Sequence, residues 1–149
     1  MKTARRGRGR LGTDLKRALT SATVTFLLLF TLGFVFGTIR VVYLTPRLGA
    51  LAATSAEAPV MLIAAFFLTR WSVRHWRVSH KGGVRWAMVL WFLALLGLFE
   101  TLLGAALFGR TAAEQWGALA THAGLVGLSA QLIAALLPVF VGRRAQSWG

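Results

Sequence analysis

The sequence has 149 residues, of which 56% are hydrophobic, and 17 basic against 4 acidic side chains give a formal charge of +13. It contains no cysteine, which excludes disulfide exchange, thiolate catalysis and cysteine-ligated metal sites. A nucleic-acid-binding domain keeps a soluble fold with one basic face. Here the bases lie between long apolar runs, so the sequence favours a membrane protein, and nucleic acid is not an expected partner.

The first 17 residues carry seven lysines and arginines and a single acidic residue, Asp14. Glycine and arginine alternate there without apolar periodicity, so most of residues 1–17 is predicted to be a disordered basic tail. Such a tail either contacts anionic lipid headgroups or simply retains the N-terminus in the cytoplasm, and the second interpretation is favoured. Residues 18–149 then form the membrane domain.

Four apolar segments follow, each long enough for a transmembrane helix. The predicted spans are residues 20–44, 51–73, 86–108 and 116–141. Pro46 and Gly49 predict a tight break after the first span, because proline cannot continue helical hydrogen bonding and glycine permits the turn. The start of the second span is ambiguous. Only residues 59–69 are uniformly apolar, and a full span brings Glu57 near or into the membrane.

The distribution of lysine and arginine predicts the orientation. The N-terminal segment carries seven, the loop at residues 70–85 carries five, the C-terminal tail carries two, and the two other loops carry one each. The richer side is expected to be cytoplasmic, where the tryptophans of the basic loop lie at the level of anionic lipid headgroups. The predicted fold is therefore all-α, a four-helix transmembrane bundle of the bacterial inner (plasma) membrane with both termini cytoplasmic.

Four ionisable side chains lie within or beside these spans: Arg40, Glu57, Glu100 and His122. A charge in lipid is costly and needs a partner or a wet cavity. Counting residues along each helix places all four at a similar depth, toward the periplasmic side. Arg40 is predicted to pair with Glu100, and Glu57 is a competing acceptor for the same arginine.

Glycines accompany both members of the predicted pair at helical spacing. Gly33 and Gly37 share a face with Arg40. Gly97 and Gly104 share a face with Glu100. Because small residues let helix backbones approach closely, these four glycines are predicted helix-packing positions between the first and third spans.

The fourth span carries two polar side chains that cannot face the same interior. Gln131 lies nine residues after His122, about 180° round a helix. With His122 assigned to the polar cluster, Gln131 falls on a strip with Gly124, Gly127 and Ala135. That strip is a candidate contact between subunits.

The polar cluster has two interpretations, an ion pair that fixes helix packing and a proton-accessible or anion-binding site, and the structural one is favoured. A metal site at Glu57, Glu100 and His122 lacks recognisable ligand spacing. A haem lacks two facing histidines, and no nucleophile–base or phosphate-binding motif is visible. No cofactor or metal is expected, and the chain is not expected to be an enzyme.

Four short motifs follow one another in the first half: Gly37-Thr-Ile-Arg40, Pro46-Arg-Leu-Gly49, Glu57-Ala-Pro59 and Arg70-Trp71. Together they resemble a group of small bacterial inner-membrane proteins without an established activity, and the resemblance continues more weakly through the third span. It implies four spans and no particular chemistry. Small multidrug-resistance exporters, with their carboxylate in the first helix, and small fluoride channels, with a broken third helix, fit less well.

Two functions of different classes follow from these observations. The favoured one is a non-enzymatic accessory or assembly subunit that works through a membrane-complex partner or as a homo-oligomer. The alternative is a small proton- or ion-coupled permease in which Glu57, Glu100 and His122 titrate and Arg40 tunes them. Four helices hardly enclose a pathway, so the alternative requires an oligomer.

Overall fold

The computed structural model describes residues 2–109 and 111–141. Every regular element in that part of the chain is helical, and four of the helices are long and apolar enough to cross a membrane. The helices are α1 (Lys2–Ile39), α2 (Thr45–Leu48), α3 (Ala50–His75), α4 (Gly82–Phe108), α5 (Ala112–Leu119) and α6 (His122–Phe140), and a π-helical turn (Arg40–Leu44) joins α1 to α2. The predicted all-α bundle with four membrane-spanning helices is confirmed.

The four long helices pack in a ring. α3 contacts α1 and α6, and α4 contacts the same two helices, so the consecutive helices α3 and α4 lie diagonally across the bundle. Ser21 in the middle of α1 hydrogen-bonds Ser72 near the end of α3. Arg85 near the start of α4 contacts Pro138 near the end of α6. The end of the bundle where α3 and α6 end, α4 begins and the middle of α1 lies is called the basic end below.

Small side chains allow α1 and α3 to approach closely at the basic end. Ser21 and Ala22 of α1 and Thr69 and Ser72 of α3 are all buried. The Ser21 and Ser72 hydroxyls are 2.6 Å apart, and the Ser72 hydroxyl also donates to the Ser21 carbonyl at 3.0 Å. Lipid offers no competing hydrogen bonds, so such small, polar contacts are a typical means of holding two transmembrane helices together.

Aromatic rings tie α1 to α4 farther along the bundle. Phe26 is 1% exposed, and its ring packs edge-to-face against Phe92 at 5.7 Å and Phe99 at 5.1 Å between centroids. Phe30 adds a further edge contact with Phe99. Edge-to-face packing of this kind stabilises by about 0.5–1.5 kcal/mol per pair beyond area burial.

The N-terminal segment differs from its prediction. Instead of a disordered tail, the chain is helical from Lys2, and α1 continues into the membrane without a break. Arginine, lysine, leucine and alanine are good helix formers, and the apolar span supplies the nucleus that a short free helix lacks. Thirty-eight residues at 1.5 Å per residue make α1 roughly 57 Å long, almost twice a hydrocarbon core.

The first break lies at Gly49, within the predicted segment, and Pro46 remains helical. The Thr45 N–H bonds to the Arg40 carbonyl, five residues back, and the extra residue of this π-turn lets the helix accommodate Pro46 just beyond it. Gly49 has φ 81° and ψ 160°, a backbone conformation open essentially to glycine alone. The reversal into α3 therefore depends on Gly49.

The predicted fourth span, residues 116–141, is wrong at its start. α5 and α6 are separate helices, and the Thr121 hydroxyl caps α6 by accepting from the Gly124 N–H at 3.0 Å. A Cβ on Gly124 would lie 2.1 Å from the Ala118 carbonyl oxygen, so glycine is required where the two helices meet. The membrane span is the 19-residue α6. The third span also begins earlier than predicted, at Gly82.

Candidate functional site

A partly enclosed cavity of about 310 Å³ lies between α1, α3, α4 and α6. This volume is at the lower end of the range of about 300–1,000 Å³ found for small-molecule sites. The polar side chains on its wall are Arg40, Thr54, Glu57, Glu100 and Gln131, and the rest of the wall is aliphatic, aromatic or glycine.

Arg40 enters the cavity from the first residue of the π-turn and is held by α3. Its Nε lies 2.6 Å from Glu57 Oε2, and its Nη1 donates to the Thr54 hydroxyl at 3.2 Å. The Nε contact is an ion pair by distance and not an aligned hydrogen bond. Thr54 and Glu57 lie three residues apart on α3, so their side chains lie on the same face of that helix.

The predicted Arg40–Glu100 pair is wrong, because Glu57 is the partner of Arg40. The reason is the reversal at Gly49. Arg40 lies nine residues before Gly49 and Glu57 lies eight residues after it, so an antiparallel pair of helices places the two side chains at the same level. The sequence contained this signal in the nearly equal spacing on either side of the turn.

Glu100 has a different partner. Its carboxylate accepts a hydrogen bond from the Gln131 side-chain amide. Gln131 lies nine residues from each end of α6, so this contact falls at the middle of α6. Within the described residues, no lysine or arginine side chain forms an ion pair with Glu100; the two ion pairs there are Arg40–Glu57 and Lys81–Asp14. Glu100 is therefore a carboxylate held by a neutral amide.

Neither polar residue of α6 lies where the sequence predicted it. His122 is exposed at the first residue of α6 and is not part of the cavity wall, whereas Gln131 lines the cavity. The strip next to Gln131 packs inside the bundle: Ala135 is buried, and a Cβ on Gly127 would lie 3.9 Å from the Thr54 methyl group. It is thus a contact with α3 within the chain.

The four glycines do not form one strip between α1 and α4. A Cβ on Gly33 would lie 3.4 Å from the Met61 methyl of α3, and a Cβ on Gly104 would lie 2.6 Å from the Gln115 side chain of α5. Nothing lies within 4 Å of such an atom at Gly37 or Gly97. The close contact between α1 and α4 is made by phenylalanines.

A buried arginine, Arg85, lies at the basic end, where the sequence indicated only a loop base. Arg85 is 3% exposed. Its Nε donates to the Ser79 carbonyl at 3.1 Å, and its Nη1 donates to the Pro138 carbonyl at 3.3 Å. Its Nη2 lies 3.5 Å from the Val78 carbonyl and 3.3 Å from His80 Nδ1.

Backbone carbonyls thus take the place of an acidic partner for Arg85. The Pro138 carbonyl belongs to the last turn of α6, where carbonyls lack partners within the helix and the helix dipole favours a cation. Arg85 therefore joins the α3–α4 loop to the end of α6. The sequence signal, a base at the start of an apolar helix, does not distinguish this role from a base at the membrane surface.

No protein-family model matches the sequence, and comparisons with curated proteins and with solved structures give no match. The resemblance to small inner-membrane proteins remains an expectation. Within residues 2–109 and 111–141, no group of three histidine or carboxylate side chains gathers as metal ligands.

Proposed function

We propose that the chain is a non-enzymatic protein of the bacterial inner membrane with both termini cytoplasmic. Charge supports this orientation. The basic end carries the exposed side chains Arg70, Arg74, Arg77 and Lys81, while α2 at the other end carries a single one, Arg47. Exposed bases at one end favour the cytoplasmic leaflet, where each stabilises the contact with anionic headgroups by about 1 kcal/mol.

The molecular function that the geometry supports best is a small proton- or cation-coupled permease, the alternative of the two sequence hypotheses. The observation that carries it is Glu100: a carboxylate on a helix of membrane-spanning length, on a cavity wall, bound to an amide and to no described cation. A purely structural carboxylate is normally neutralised by a base, as Glu57 is by Arg40. A carboxylate that lies on a cavity wall without a basic partner is typical of ion and proton pathways.

Transport requires more than one copy of the chain. Four helices leave the cavity only partly enclosed. Gly37 and Gly97, which no neighbouring atom approaches, leave room for the backbone of a second copy. In this mechanism Glu100 binds a proton or a cation in turn, while the Arg40–Glu57 pair holds α1 against α3.

Proton flux into proteoliposomes, driven by a pH gradient, tests this proposal. We expect Glu100→Gln to abolish flux while leaving thermal stability within about 1 kcal/mol, because glutamine still accepts from Gln131. Glu114→Gln is the matched control, since Glu114 lies in α5 outside the cavity and glutamine also completes a capping box. Wild-type flux no greater than that of empty liposomes, or full flux through Glu100→Gln, contradicts the permease.

The accessory-subunit hypothesis is supported by a separate observation at the N-terminal part of α1. Leu11 and Leu15 are exposed and four residues apart, beside Lys16 and Arg17. An apolar and basic helix surface of this kind fits an acidic, amphipathic helix of a partner. We expect Leu11→Ser with Leu15→Ser to abolish cross-linking to such a partner and to leave flux unchanged. Stoichiometric co-purification with a partner, together with absent flux, favours this second function.

A further inference from the structure

We infer that the cavity binds a monovalent organic ammonium ion with a small apolar body. This inference names a ligand class for the site of the proposed permease. Transport of the ligand rests on the permease function, whereas its binding to the cavity is measured separately. The inference stands on the charge, the oxygen atoms and the aromatic wall of the cavity.

The formal charges on the cavity wall determine the charge of the ligand. Arg40 contributes +1, and Glu57 and Glu100 contribute −1 each, which leaves −1. Arg40 and Glu57 neutralise each other at 2.6 Å. The remaining charge belongs to Glu100, so a ligand with one positive charge makes the cavity neutral, as an apolar environment requires.

The side-chain oxygen atoms on the wall are too few for a magnesium or calcium ion. Mg²⁺ and Ca²⁺ take six or more oxygen ligands. Thr54 and Glu57 are already engaged by Arg40. The carboxylate of Glu100 and the amide oxygen of Gln131 remain, because Gln131 uses its NH₂ group to donate to Glu100. Two such groups suit the N–H donors of one ammonium headgroup and not the full shell of a metal ion.

Aromatic rings also line the cavity. Phe30 and Phe34 of α1 and Phe92 of α4 are on its wall, together with aliphatic residues. The negative face of an aromatic ring attracts a cation within about 6 Å. A wall of this composition accommodates the carbon skeleton of an amine and adds a cation–π contact that a neutral ligand lacks.

The test is equilibrium dialysis with the full-length protein in nanodiscs of zwitterionic lipid. The probes are 2-phenylethylammonium and its neutral analogue 2-phenylethanol, which differ in charge and share a skeleton. We expect the ammonium to bind at least tenfold more tightly than the alcohol. Glu100→Gln should weaken the ammonium at least tenfold and change binding of the alcohol less than twofold, because a charge pair on the cavity wall is lost only for the first.

The aromatic wall has its own matched pair of variants. Phe34→Leu removes a ring from the cavity wall, whereas Phe140→Leu removes a ring at the end of α6 that is not on the wall; both rings are exposed. We expect Phe34→Leu to weaken the ammonium by about two- to fivefold, as a cation–π contact predicts. Phe140→Leu should leave its affinity unchanged.

Equal affinities for the two probes, an unchanged affinity in Glu100→Gln, or displacement of the ammonium by equimolar Na⁺ overturns the inference. The two proposals fail separately. Ammonium binding that depends on Glu100, with no flux in liposomes, supports the site and contradicts the permease. Proton flux that depends on Glu100, without ammonium binding, supports the permease and contradicts the ligand class.

Discussion

At the scale of single residues, the bundle satisfies the half-buried Arg40 and the buried Arg85 by different means. Arg40 has a carboxylate at 2.6 Å and a hydroxyl at 3.2 Å, and Arg85 has the carbonyls of a loop and of a helix end. Guanidinium suits both environments, because its planar fork of five N–H donors can bond to several acceptors at once. A single base can thereby join segments that are distant in sequence.

Replacement of Arg85 should lower stability by more than that of an exposed arginine. Arg85→Met keeps the bulk and removes every donor, so the Pro138 and Ser79 carbonyls lose their partner. We expect a loss of about 1–3 kcal/mol. Arg85→Lys should recover little of it, because an ammonium cannot reproduce the fork. Thermal unfolding in detergent measures this effect.

Arg74→Met is the matched control, since Arg74 is exposed on the last turn of α3. Its stability should change by less than about 0.5 kcal/mol. Hydrogen exchange at the last turn of α6 should quicken in Arg85→Met alone. Equal stability of the two methionine variants contradicts a joining role for Arg85.

At the scale of elements, the connection from α1 to α3 positions the site. The π-turn begins at Arg40, and its wider backbone ring changes the direction of the following residues relative to a regular helix. α2 then ends at Gly49, where the chain reverses. The level at which Arg40 meets Glu57 is set by the number of residues on each side of this turn.

Gly49→Ala should destabilise the protein by about 1–3 kcal/mol, because alanine must adopt the φ of 81° and ψ of 160° that glycine has here. Gly12→Ala is the control. Gly12 lies inside α1 with nothing within 4 Å of an added Cβ, so alanine there should stabilise by up to about 1 kcal/mol. The measurement is thermal unfolding of both variants in the same detergent. Similar changes in the two would argue against a special role for Gly49.

The sequence predicted elements better than it predicted the orientation of their faces. Runs of about 20 apolar residues predict membrane spans, because backbone groups in lipid must bond within a helix. The rotation of α6 was not predictable, because it is apolar on nearly every side and both His122 and Gln131 offered a polar face. Arg85 was missed because its partners are backbone carbonyls, which no sequence pattern reports.

At the scale of the whole molecule, the absence of cysteine makes the orientation directly testable. Single cysteines at Gly12 and Ala120 report opposite ends, since Gly12 is exposed near the start of α1 and Ala120 is exposed between α5 and α6. We expect a membrane-impermeant maleimide to label Ala120→Cys in intact cells and Gly12→Cys only after permeabilisation. The reverse pattern contradicts cytoplasmic termini.

Within the bundle as a whole, Glu57 and Glu100 have different roles. Glu57 neutralises Arg40 and fixes α3 to α1, and Glu100 remains for the cavity. Removing one member of the Arg40–Glu57 pair should cost about 1–3 kcal/mol, less than for a fully buried pair because the Arg40 side chain is 30% exposed.

The most direct test of these roles is to measure the thermal stability of two charge-swapped double variants in detergent, because Glu57 and not Glu100 should be the partner of Arg40. Arg40→Glu with Glu57→Arg should recover most of the stability that each single variant loses, because the pair is restored with reversed polarity. Arg40→Glu with Glu100→Arg should recover none of it. Recovery of stability in the second double variant and not in the first would contradict the different roles of Glu57 and Glu100, and would make Glu100 the partner of Arg40.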